Sequence, residues 1–202
     1  MRISEKAHKL AVMRNFQTDT PRSNPERKLA YYSGAIQQMS ERLGRFEGKS
    51  FLHIASGVGV LTKFLSNMNA KRVVALDIDE AQLEVAKQIG NRETLFHDVT
   101  EGLPFKADTF NCLITNHFAF AKYPILDFGS ETKGSEALVR EGARVLKNDG
   151  IFVINAVDGK MLPEQLIATG LKYFHKAEPY LYIYNKHYVP GIVLSAPRKE
   201  HF

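Results

Sequence analysis

The sequence predicts an α/β fold: a doubly wound, mainly parallel seven-stranded sheet with an antiparallel last strand and a helical N-terminal cap. Three observations predict it. From residue 51 onward, apolar runs of strand length alternate with amphipathic helical stretches. The C-terminal stretch reads instead as two long strands meeting at Asn185-Lys186, a hairpin whose strands pair antiparallel. Residues 1–48 follow neither pattern and read as helices joined by a loop.

The elements follow in order. A helix is expected near 4–16, then a loop at 17–25, where Pro21 and Pro25 break any continuous helix. A second helix near 26–44 carries Leu29, Tyr32, Ile36, Met39 and Leu43 at three- and four-residue steps, and Gly44 and Gly48 bracket its end. Strands are expected at 51–55, 72–77, 94–96, 110–115 and 151–156. Helices fall between them at 60–68, 80–89 and 134–147, with Asp149-Gly150 as a turn before the fifth strand. A short helix at 163–169 precedes hairpin strands at 172–184 and 186–196. The domain reading is a cap over 1–48 and a sheet domain over 49–202.

Composition narrows the function. The chain has 202 residues, 44% hydrophobic and 24% charged, which suits one folded domain with an appendage. A single cysteine, Cys112, leaves no intramolecular disulfide and no cysteine-based zinc site. No apolar stretch approaches the roughly 20 residues of a membrane helix, and no apolar signal region follows the basic start before Arg14. A cytoplasmic protein without membrane contact is the expectation. The net charge of +5 is unevenly placed: residues 1–50 hold ten basic and five acidic side chains, and residues 51–202 hold 17 of each.

The first strand runs into Ala55-Ser56-Gly57-Val58-Gly59-Val60-Leu61-Thr62. A strand, a small-residue turn and a helix start let a nucleotide approach the backbone and the free N–H groups of the helix. A tight turn with no ligand would look the same. Thr62 stands where a dinucleotide fingerprint needs its third glycine, and no Gly-Lys-Ser/Thr follows, which excludes a P-loop. Asp77 ends the second strand 20 residues after Gly57, where an acid can accept from both hydroxyls of a ribose, or be a plain strand-end carboxylate. Asp79 precedes a helix with Gln82 three residues on, the spacing of an N-cap.

Four ordered blocks between 51 and 156 resemble the class I S-adenosylmethionine-dependent methyltransferases, particularly the small-molecule, quinone-biosynthesis-like type. They are Phe51 to Thr62, Val74 to Asp79, His97 to Phe105 with Asp108 to Asn111, and Leu138 to Gly150. The terminal hairpin fits too. The resemblance implies S-adenosyl-L-methionine as cofactor. It implies that the backbone of Ala55, Ser56, Gly57 and Gly59 approaches the methionine part and that Asp77 binds the ribose. Asp98 would take the adenine amino group and the Val99 N–H a ring nitrogen; Ile78 and Asn116 complete the set. An Asx-turn is the alternative for Asp98, and packing the reading for Leu103, Pro104 and Phe105.

Two residues depart from the pattern. His53 stands where the family has an acid that holds the cofactor's ammonium, and Ala55 replaces a glycine. A neutral histidine can accept one hydrogen bond there, whereas a protonated one would repel the ammonium; a core histidine is the other reading. The acceptor would lie beyond the fourth strand, under the N-terminal segment. His117 is the candidate base, from its position and titration range, with a solvent-side or packing histidine as the other reading, and Tyr31 is the second candidate beside Tyr32. Arg14, Arg22, Arg27 and Lys28 hint at an anionic small molecule as acceptor, with ordinary surface charge for solubility as the rival reading. The pI of about 9.2 raises nucleic acid. The basic residues are dispersed, however, and no Asn-Pro-Pro-Tyr follows at Asn116, which weighs against it. A binding domain with weak or no catalysis stays open through His53 and Ala55. Oligomeric state is open as well, a homodimer included.

Overall fold

The computed structural model describes residues 32–116, 131–155, 163–184 and 187–201. The expected helix at 4–16, the loop at 17–25 and positions 26–31 lie outside them. Helix α1 covers Ser33–Leu43. Then come β1 (Ser50–Ile54), α2 (Val60–Asn67), β2 (Arg72–Asp77), α3 (Glu80–Gln88), β3 (Glu93–Phe96) and β4 (Phe110–Asn116). The chain continues with α4 (Glu131–Val145), β5 (Leu146–Asn155), α5 (Pro163–Tyr173), β6 (Phe174–Tyr184) and β7 (His187–Pro197).

The strands form one seven-stranded sheet in the order β3-β2-β1-β4-β5-β7-β6. The first five run parallel, while β7 pairs antiparallel with both β5 and β6. Strand β1 is buried at all five positions, as a central parallel strand covered on both faces requires. Its alternation separates two cores. Leu52 and Ile54 join Leu76, Leu113, Val139, Phe152 and Leu166 on one face. Phe51 joins Ala35, Met39, Leu61, Leu65 and Ile114 on the other, beneath α1 and α2. Helix α1 is seated closely there: a Cβ on Gly34 would meet the Tyr182 ring at 2.4 Å.

Several boundaries move. Strand β5 begins at Leu146, not 151, because Leu146 pairs with Phe110 before the register shifts and Ile151 pairs with Cys112. The expected Asp149-Gly150 turn is absorbed into that irregularity. Helix α5 runs on to Tyr173, held to α4 by the Tyr173 hydroxyl and the Lys172 ammonium on Glu136 at 3.0 and 3.1 Å. Strand β6 therefore starts at Phe174. The residues joining β6 to β7, 185–186, lie outside the described set. No described helix is long and apolar enough to cross a membrane.

Candidate cofactor site

The strand order reverses at β1: the chain winds outward through β2 and β3, then returns to β4 on the other side. That switch opens a crevice at the carboxyl ends of the strands. Ile54 is in register with both Leu76 and Thr115, and Asn116 with Asn155, so the ends of β1, β2, β4 and β5 share one rim.

The glycine loop occupies this rim. Gly57 and Gly59 have φ of +54° and +72°, backbone that glycine adopts readily. Ala55 is also left-handed at +54°, a strained state for a residue with a Cβ. Gly59 is the N-cap of α2 and offers no side-chain acceptor to the first turn, so those N–H groups face the rim uncapped. Asp79, by contrast, accepts from the Ala81 and Gln82 N–H groups at 3.0 and 3.4 Å and caps α3, as its spacing predicted.

Two side chains hold the loop. Asp77 Oδ2 accepts the Gly57 N–H at 2.7 Å and Oδ1 accepts the Asp79 N–H at 2.9 Å. The same carboxylate thus holds the turns after β1 and after β2. Asn91 was not singled out by sequence reasoning. Its Nδ2 donates to the Gly59 and Ala86 carbonyls at 3.1 and 3.0 Å, fastening the loop to the end of α3. A Cβ on Gly59 would meet that Nδ2 at 2.5 Å. The only sequence signal for it was an Asn directly after the stop residue Gly90.

Asp98 accepts the Thr100 N–H at 2.9 Å and opens a short 3-10 turn over Val99–Glu101, which is the Asx-turn reading. The turn sets the Val99 N–H at its first position, where a helix gives it no internal partner. The next block is a clamp. Arg144 donates to the Phe105 and Leu103 carbonyls, both at 2.8 Å, and Glu141 accepts the Leu103 N–H at 3.0 Å. Arg144 holds Glu141 below the usual carboxylate range. Leu103 and Phe105 are packing residues, and Phe105 meets Phe110 edge-on at 4.9 Å.

His53 is fully buried on the α1/α2 face, one step below the rim. Its Nδ1 stands 3.0 Å from Thr62 Oγ1, the first turn of α2, while Nε2 has no partner among the described residues. It is a core histidine, which is the alternative reading, but its partner is a side-chain hydroxyl instead of a backbone group. Burial drives its pKa from 6.5 to about 3, so the ring is neutral at physiological pH. The Ser56 and Thr115 hydroxyls are likewise buried and unpartnered at the ends of β1 and β4. Buried polar groups without a partner near the carboxyl ends of β1 and β4 are what a polar ligand would complete, so these residues fit the implied cofactor. Ile78 and Asn116 follow β2 and end β4 at the rim. The Asn116 side chain lies outside the description, as do Tyr31, His117 and the four basic candidates Arg14, Arg22, Arg27 and Lys28. Among the described residues no group of side chains could hold a metal.

Known proteins share this architecture. The methyltransferase domain family matches residues 52–154. The ribosomal protein L11 methyltransferase of Dictyoglomus thermophilum is 27% identical over 119 residues, 57% of this chain and 35% of that protein. The chain thus spans about a third of that curated relative. Magnesium protoporphyrin IX methyltransferase from Synechocystis PCC 6803, solved with bound SAM, superposes with a TM-score of 0.68 at 14% identity, over 98% of this chain and 100% of that one. A 16S rRNA methyltransferase from T. thermophilus, solved with AdoMet and guanosine, gives a TM-score of 0.60 at 22% identity, over 88% of this chain and 44% of that one. With the matched segment spanning β1 to β5 and the loop that the rim is built around, the chain belongs to the class I S-adenosylmethionine-dependent methyltransferase family.

Proposed function

We propose that the chain transfers the methyl group of S-adenosylmethionine to a small-molecule acceptor bound between the rim and the N-terminal segment 1–48. The observation that carries this reading is the glycine loop: left-handed at Gly57 and Gly59, braced by Asp77 and Asn91, and opening an uncapped helix. The cofactor supplies the electrophilic methyl group. The chain's residues hold it: the loop backbone from Ala55 to Gly59 at the methionine part, Asp77 at the ribose, Asp98 and the Val99 N–H at the adenine, with Ile78 and Asn116 alongside.

Transfer is a displacement in which a lone pair on the acceptor forms the bond to methyl carbon as the carbon–sulfur bond breaks. The protein's main contribution is alignment, which can be worth about 7–11 kcal/mol. An acceptor that holds a proton passes it to a base, the role given to His117, with Tyr31 as the second candidate. The basic residues Arg14, Arg22, Arg27 and Lys28 favour an anionic acceptor. The porphyrin enzyme supports the small-molecule reading, since it is matched along its full length, whereas the two ribosomal enzymes carry long stretches outside the match. Titration with S-adenosylhomocysteine, then methyl transfer to a panel of anionic small molecules read by mass spectrometry, tests it. Salt-sensitive methylation of RNA in place of any small molecule would move the acceptor to nucleic acid.

A second reading rests on His53 and Ala55, which depart from the family at the cofactor's amino-acid end. In it the domain binds the cofactor without turning over. Tight binding of S-adenosylmethionine with no transfer to any acceptor class would favour it.

A further inference from the structure

The partners of His53 fix which of its nitrogens carries the proton. Among the described residues Thr62 Oγ1 has one partner, His53 Nδ1 at 3.0 Å, and His53 Nε2 has none. Both side chains are completely buried. If Nδ1 carried the proton and donated to Thr62, the Thr62 hydroxyl proton would be left without an acceptor, and the Nε2 lone pair without a donor. If Thr62 donates to Nδ1, one group alone is left over: an Nε2–H. Each buried polar group left unpaired costs about 1–3 kcal/mol, so the second arrangement prevails. The ring is then a buried donor in search of an acceptor, the reverse of the carboxylate that the family places at this position.

Among the described residues the neighbours of Nε2 supply none. His53 lies level with Ala75 and Ile114 in the adjoining strands, both apolar. From α1 the Tyr32 ring meets it at 5.8 Å and 85°, at best a weak N–H to π contact. What lies one step above is the rim: Ala55 in its own strand direction, Asp77 beyond Ala75 and Asn116 beyond Ile114. Tyr32 is partly buried, sits at the N-cap of α1 and packs against this core cluster.

We infer that His53, fixed by Thr62 as an Nε2–H donor, recognises the carboxylate of the cofactor's amino-acid end rather than its ammonium. This rests on the cofactor reading above. It makes the Thr62–His53 pair a specificity device: the hydroxyl sets the tautomer, the tautomer sets the polarity of the site, and the polarity selects the ligand atom. A hydrogen bond from a neutral donor to a carboxylate is charge-assisted and stronger than a neutral pair.

The test uses the full chain and two ligands, S-adenosylhomocysteine and its decarboxylated analogue, which keeps the ammonium. The 15N spectrum of His53 in the free protein should show a protonated Nε2 and a bare Nδ1. Adding S-adenosylhomocysteine should shift the Nε2 proton downfield, and the analogue should not. Thr62→Val, which keeps the shape and removes the hydroxyl, should weaken S-adenosylhomocysteine about tenfold or more and leave the analogue's affinity unchanged. A proton on Nδ1, or an equal loss for both ligands, overturns the assignment; the spectrum decides this without any variant. Failure of the native chain to bind either ligand overturns the cofactor reading and this inference together. Binding that Thr62→Val leaves untouched overturns this inference alone.

Discussion

Asp77 Oδ2 accepts the Gly57 N–H at 2.7 Å, so the carboxylate ending β2 holds the loop that follows β1. Its other oxygen holds the Asp79 N–H. One side chain thus fastens two turns at the rim. Asp77→Asn replaces one acceptor with an NH2 that faces an N–H. The expected result is a loss of about 1–3 kcal/mol in denaturant unfolding together with weaker binding of S-adenosylhomocysteine. Lost stability with full affinity would leave Asp77 a brace and no ligand.

The Asn91 clamp makes a non-additive pair with Gly59. Gly59→Ala places a Cβ 2.5 Å from Asn91 Nδ2 on backbone at φ +72°. Asn91→Ala removes two hydrogen bonds to backbone carbonyls. Each alone should cost about 1–3 kcal/mol. The double variant should cost less than the sum, because removing the Asn91 amide relieves its clash and leaves the backbone strain and the 3.1 Å approach to the Ala86 Cβ. Urea titration of the four proteins checks it.

Ala55 offers a gain. At φ +54° its Cβ is strained, and Ala55→Gly should stabilise the protein by about 1 kcal/mol. A lower Tm for Ala55→Gly would mean that the Cβ packs better than the backbone suffers.

His53 links stability to pH. Its pKa falls from 6.5 in the unfolded chain to about 3 in the fold, through burial. The unfolded state therefore binds the proton first. The neutral ring's contribution is fully present above 6.5 and is lost as pH falls towards 3, at about 1.4 kcal/mol per pH unit. His53→Gln cannot titrate, so the stability difference between the two proteins should change along that slope within this window. A difference independent of pH would contradict the burial of a neutral ring.

The parallel half of the fold was legible because each strand is a short apolar run stopped by small or acidic residues, and the helices between them keep an apolar face. The residues 146–150 were not: Asp149-Gly150 has turn chemistry, but pairing of Leu146 with Phe110 pulls it into β5. Nor was the end of α5, which contacts of Lys172 and Tyr173 with Glu136 extend past Thr169. At the site, glycines and Asp77 announced themselves by spacing within one strand–turn–helix unit. Asn91 and Thr62 did not, because their partners are carbonyl and ring atoms brought close by the fold, which no local pattern encodes. Two of the blocks that resemble the family, the one ending at Phe105 and the one around Arg144, meet in the fold, since Arg144 holds the carbonyls of Leu103 and Phe105.

Calorimetric titration of the native chain and of Asp77→Asn with S-adenosylhomocysteine tests the central claim, a cofactor seated on the braced glycine loop. One site per chain in the native protein, weakened about tenfold or more by Asp77→Asn, is the predicted result. No heat of binding at millimolar ligand, or equal affinity in the two proteins, would contradict it.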